Sequence, residues 1–122
     1  MTLPRHLCIV GAGLLGGSLL ALLQARRPGL RITVVSSRRT LATIKEHGWA
    51  DACYEYGKLE KAVETADLVL LCSPVAAIFD QVERISQVAA TLAPGAVVAD
   101  VGSTKEMLCR HGYALFPAVH AG

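Results

Sequence analysis

Aromatic side chains are scarce in this sequence: one Trp, two Phe and three Tyr, or 5% of 122 residues. Any core must therefore be filled by Val, Leu, Ile and Ala, a composition that suits parallel strands buried on both faces. Charge is sparse as well. Only 18% of residues are charged and the net charge is +2, too small to select nucleic acid or a membrane as partner. The cysteines are few and scattered, at Cys8, Cys53, Cys72 and Cys109, with no Cys-x-x-Cys pair among them. That spacing argues against a disulfide frame or a zinc site, and for buried free thiols in a reducing compartment. No apolar run approaches the roughly 20 residues of a membrane-spanning helix, and the N-terminus lacks the pattern of a signal peptide. The expectation is a cytoplasmic protein.

What remains is ample material for one core, since 52% of the residues are hydrophobic. The length is near the commonest domain size, so residues 1–122 are expected to form one domain. Short β-like runs alternate with longer helical ones, which indicates an α/β domain with a parallel sheet. Strands are expected at 6–10, 31–35, 52–56, 68–72 and 96–101, with helices at 14–26, 40–47, 59–65 and 75–92. Gly48 is placed to cap the second helix, Pro74 to open the long one, and Ser103 with Glu106 to form a capping box at the start of a last helix. No linker or repeat is visible. His6, His47 and His111 read as isolated surface or strand-edge residues without ligand-like spacing, and Asp51 and Asp67 as turn caps.

The run Cys8-Ile9-Val10 leads straight into Gly11-Ala12-Gly13-Leu14-Leu15-Gly16, followed by a helical pattern. This is a strand, a G-x-G-x-x-G turn and a helix, the context in which the glycine pattern signals a dinucleotide. Gly11 permits the tight turn, Gly13 the approach of a pyrophosphate, and Gly16 close packing of helix on strand. The helix start aims unpaired N–H groups and a positive dipole end at the same point. Two other segments should reach the crevice: Cys72-Ser73-Pro74-Val75, and Asp100 through Gly102, Ser103 and Lys105. Both follow predicted parallel strands at their carboxyl ends, where ligands bind in such folds.

The acid that holds an adenine ribose is expected about 20 residues past the glycines. Counting from Gly16 reaches Ser36, Ser37 and Arg38, where no acid stands. Hydroxyls and a guanidinium there suit a 2′-phosphate, so NADP is the expected cofactor, with NAD the alternative. Lys105 sits in a first turn where the helix dipole disfavours a cation, which points to an anionic ligand nearby.

These motifs together resemble the prephenate dehydrogenase family, which includes arogenate and cyclohexadienyl dehydrogenases of tyrosine biosynthesis. The resemblance rests on Val10-Gly11-Ala12-Gly13-Leu14-Leu15-Gly16-Gly17-Ser18-Leu19, Leu70-Leu71-Cys72-Ser73-Pro74-Val75 and Asp100-Val101-Gly102-Ser103-Thr104-Lys105. It implies a Rossmann-type doubly wound sheet in three α/β/α layers, and oxidative decarboxylation of prephenate or arogenate. In that reaction hydride passes to the nicotinamide, CO₂ is lost, and a histidine base removes the hydroxyl proton. By resemblance Ser103 lies near the substrate hydroxyl, and Ser73 and Pro74 near the cofactor's ribose and pyrophosphate.

The sequence departs from the family in two ways. The family often has an acid where Ser36-Ser37-Arg38 stand, and its histidine lies in a Gly-His-Pro segment on a sixth strand. The corresponding position would fall beyond Gly122, and His120 is followed by Ala121 instead of Pro. The expectation is a cofactor domain lacking the sixth strand and the helical domain that completes the substrate site and the homodimer. Such a chain should bind cofactor without turning over substrate. The competing readings are the cofactor domain of another hydroxyacid dehydrogenase or imine reductase, and a non-catalytic nucleotide-binding module.

Overall fold

The computed structural model describes residues 5–11, 20, 21, 25 and 29–100. Within them five parallel strands form one sheet: β1 (His6–Val10), β2 (Arg31–Val35), β3 (Ala52–Tyr54), β4 (Leu68–Leu71) and β5 (Val97–Asp100). Their spatial order is β3-β2-β1-β4-β5, so the chain winds outward in both directions from β1. That is the doubly wound Rossmann arrangement, with its switch point between β1 and β4. The central strand pairs Val10 with Val35 on one side and with Leu71 on the other. All three strands therefore end at the same level.

The strands are apolar runs because both faces of the sheet are covered. Cys8 and Val10 point into one core with Val69, Leu71 and Val98, under the helices α2 (Leu59–Ala62) and α3 (Val75–Gln87). Leu7, Ile9, Ile32 and Val34 point into the other, with Leu20 and with Leu41 and Ile44 of helix α1 (Arg38–His47). The three layers follow from this alternation of successive residues across the strands. Ile85 of α3 is fully buried, and burial of such a side chain contributes about 1.5–3 kcal/mol. Arg84 ties α3 to α2 through two hydrogen bonds to the Glu60 carboxylate, both 2.7 Å. That contact holds the Glu60 carboxyl down to about 2.

Helix α1 begins two residues earlier than expected, because Ser37 takes the N-cap position and accepts from the Thr40 amide. It ends on Gly48, whose φ of 67° suits a residue without a Cβ. The long helix is shorter than expected. It stops at Gln87 and continues as a 3₁₀ turn over Ala89–Thr91, which still delivers Leu92 to the core. The expected first helix is represented by residues 20, 21 and 25, all helical. The expected last helix and the expected absence of a sixth strand lie outside the described residues.

The amino ends of the strands carry a polar floor. The Asp67 carboxylate accepts from the amides of Arg5 (2.8 Å) and His6 (2.9 Å), and Asp51 accepts from Ile32 (2.7 Å). Both acids thus serve the backbone, as expected. His6 is not the surface or strand-edge residue expected. It is 7% exposed, and its ring nitrogens meet the hydroxyls of Thr65 (3.1 Å) and Thr33 (2.7 Å). A histidine at a strand's first residue is buried here because β2 and the turn before β4 close over it.

Candidate functional site at the carboxyl ends of the strands

β1 is followed by Gly11, whose amide donates to Val35 O at 2.7 Å and whose φ is +83°. The residue is buried against the loop after β4. A Cβ built on Gly11 would lie 2.8 Å from the Ser73 amide nitrogen and 2.9 Å from its Cα. A side chain would therefore need a disfavoured backbone conformation and would also strike neighbouring backbone. Glycine allows the two loops to touch at the switch point, where backbone must come close to a ligand.

The loop after β4 is anchored by the Cys72 amide, which donates to Val10 O at 2.7 Å. Burial, with a smaller effect from the Asp100 charge, pushes the Cys72 thiol up to about 11. It is thus a neutral wall of the crevice and not a nucleophile. Ser73 is buried, and its Oγ accepts from Gln81 Nε2 at 2.9 Å. Pro74 is the N-cap of α3, with no side-chain hydrogen bond capping it, and Val75 is the helix's first residue. The Ala77 and Ile78 amides donate to Pro74 O, which leaves those of Val75 and Ala76 for a ligand or water. Asp100, the first residue of the third predicted segment, closes β5 opposite Leu71, at the same rim.

At the end of β2 the two serines do different things. Ser36 is buried, and its amide donates to Tyr54 O at 3.1 Å. Ser37 caps α1. Arg38 opens the helix with its side chain 87% exposed, 3.6 Å from Glu55. Sequence reasoning missed Glu55, because only the pairing of β3 beside β2 brings it to this corner. It also missed Gln81, a polar residue in the buried stripe of α3. Gly13, Leu14, Leu15, Gly16, Gly102, Ser103 and Lys105 lie outside the described residues.

Among the described residues no group of three His, Cys, Asp or Glu could hold a metal ion, and Cys8, Cys53 and Cys72 are free thiols. No helix among them is long and apolar enough to cross a membrane. The arrangement is a crevice lined by backbone amides, one glycine and one oriented hydroxyl.

Residues 21–120 match the family model of the prephenate dehydrogenase nucleotide-binding domain. The chain belongs to this family. The matched region is that family's nucleotide-binding domain. A sequence search of curated proteins finds no match. Solved structures share the fold. Prephenate dehydrogenase from A. aeolicus, in complex with hydroxyphenyl propionate and NAD+, is 24% identical with a TM-score of 0.77. The similarity covers 94% of this chain and 39% of that one. Malate dehydrogenase from Naegleria fowleri (17% identity, TM-score 0.69) is covered over 98% of this chain and 45% of its own. S. aureus TarJ in complex with NADPH (18%, 0.59) is covered over 88% and 34%. The chain thus spans less than half the length of each of these enzymes.

Proposed function

We propose that the chain is the cofactor domain of an NADP-linked prephenate or arogenate dehydrogenase. The family match carries the reaction class, and the corner at the end of β2 carries the choice of NADP. Helix α1 has no acid in its first turn, and Arg38 and Arg39 stand at a helix start where the dipole favours anions. Exposed guanidinium groups beside an oriented helix start suit a 2′-phosphate through charge-assisted hydrogen bonds.

The described residues fit a dinucleotide, because Gly11 brings the end of β1 into backbone contact with the loop after β4, at the switch point where dinucleotides bind in such folds. When bound, the nicotinamide would supply the hydride acceptor. The chain's own residues bind and orient it. Gly11 makes the tight turn out of β1, the first turn of α3 offers the Val75 and Ala76 amides, and Cys72 and Val75 line the wall. By family resemblance, Asp100, Gly102, Ser103 and Lys105 border the nicotinamide side, with Ser103 near the substrate hydroxyl. The base would be a histidine in a Gly-His-Pro segment, and no such segment occurs in these 122 residues. By the same resemblance the substrate-bearing enzyme is a homodimer.

Titration of the chain with NADPH and NADH tests this reading. NADPH should bind more tightly, and Arg38→Ala should weaken NADPH roughly fivefold to tenfold with little effect on NADH. Equal affinities, or tighter NADH, would overturn the NADP assignment. In the same chain, prephenate or arogenate should give no NADPH formation.

A further inference from the structure

Helix α3 buries Ile78, Val82 and Ile85 along one stripe, and Gln81 lies in the same stripe at 4% exposure. Its Nε2 donates to Ser73 Oγ at 2.9 Å, while its Oε1 is buried with no hydrogen-bond partner. The reverse amide orientation would leave Nε2 and both its hydrogens without an acceptor, a greater loss than one unpartnered carbonyl. An apolar residue would complete the stripe without either loss. The amide therefore contributes little to the packing of α3, and its one contact is with Ser73.

That contact settles what the Ser73 hydroxyl can do. A serine oxygen has one hydrogen to give and two lone pairs to receive with. Gln81 occupies one of those lone pairs from within the core. The hydrogen is left for an acceptor elsewhere, and the residue that carries it sits against Gly11 at the switch point. We propose that Gln81 is a positioning residue. It holds the Ser73 hydroxyl so that its hydrogen is turned toward an oxygen of the bound dinucleotide, without touching the ligand itself. The inference rests on the dinucleotide reading of the crevice.

The test is NADPH titration and thermal melting of the 122-residue chain and three variants. Ser73→Ala should weaken NADPH about tenfold, the loss of one hydrogen bond to a charged or polar oxygen. Gln81→Met, similar in size and unable to hold the hydroxyl, should weaken it roughly threefold to fivefold. Its melting temperature should be equal to or above that of the unaltered chain, because an orphaned carbonyl is removed. A merely structural glutamine would show the opposite pattern, a lower melting temperature and unchanged affinity. In the Ser73→Ala background, Gln81→Met should have no further effect on NADPH, since the group it positions is gone. Unchanged affinity in Gln81→Met, or an equal loss in the Ser73→Ala background, would overturn the inference alone. Failure of the unaltered chain to bind either NADPH or NADH would overturn the dinucleotide reading and this inference with it.

Discussion

Gly11 and Ser73, 62 positions apart in the sequence, meet so closely that the Ser73 amide nitrogen lies 2.8 Å from where a Gly11 Cβ would be. The two residues lie just past the strands on either side of the switch point, and neither loop can move away without losing the hydrogen bonds that extend the ladder past the strands.

Gly11→Ala should therefore damage both stability and binding. The φ of +83° alone disfavours an alanine by about 1–2 kcal/mol, and the collision with Ser73 backbone adds to it. We expect a loss of about 2 kcal/mol or more in urea denaturation, with NADPH binding abolished. A variant that folds and binds like the unaltered chain would show that the two loops separate freely.

Glu55 shares the corner of the proposed 2′-phosphate site with Arg38. Both side chains are exposed, at 56% and 87%, so the ion pair itself contributes little to stability, at most about 1 kcal/mol. Its effect on a ligand is larger in principle, because the carboxylate competes for the guanidinium and repels a phosphate. Glu55→Gln should tighten NADPH by roughly twofold to fivefold at low salt, leave NADH unchanged, and lose this advantage as salt is raised. Weaker NADPH binding would mean that Glu55 holds Arg38 in its working position instead.

The floor histidine makes folding sensitive to pH. Burial chiefly, and the Arg31 charge, lower His6 below the ordinary histidine value of 6.5, although Thr65, Asp67 and Asp51 partly offset them. The unfolded chain therefore binds this proton more readily than the folded one. The resulting stability is fully present above pH 6.5 and is lost as pH falls below it toward the folded value. Denaturation midpoints should drop between pH 7.5 and 5.5, and His6→Gln should flatten that slope. An unchanged slope in the variant would assign the pH dependence to other groups.

The strands at His6–Val10 and Arg31–Val35 were legible residue for residue, because strands covered on both faces must be apolar throughout. The start of α1 was not, since two arginines in succession read as a solvated turn unless Ser37 is seen to cap them. The end of α3 was overextended for a different reason. Val88, Ala89 and Leu92 continue the helical period, but a 3₁₀ turn can deliver Leu92 to the same core. His6 and Gln81 escaped notice because their partners are distant or unexpected. Thr33 and Thr65 reach His6 from 27 and 59 residues away, and nothing in a stripe of Ile and Val marks its one polar member as functional. The glycine turn and the Ser73-Pro74 loop were legible as motifs, while their contact at Gly11 required the order of the strands.

The burial of Cys8 turns an unremarkable side chain into a gauge of unfolding. The thiol is 0% exposed at the middle of β1, and burial pushes it up to about 12, so no reagent reaches a thiolate there while the central strand is paired. Its alkylation can proceed only through opening of the whole sheet, and the rate reports that opening. Cys72 lines the proposed cofactor crevice, so its labelling would follow events at the rim, including shielding by a bound dinucleotide. One protein therefore contains two chemical clocks, one set by global unfolding and one by traffic through the crevice.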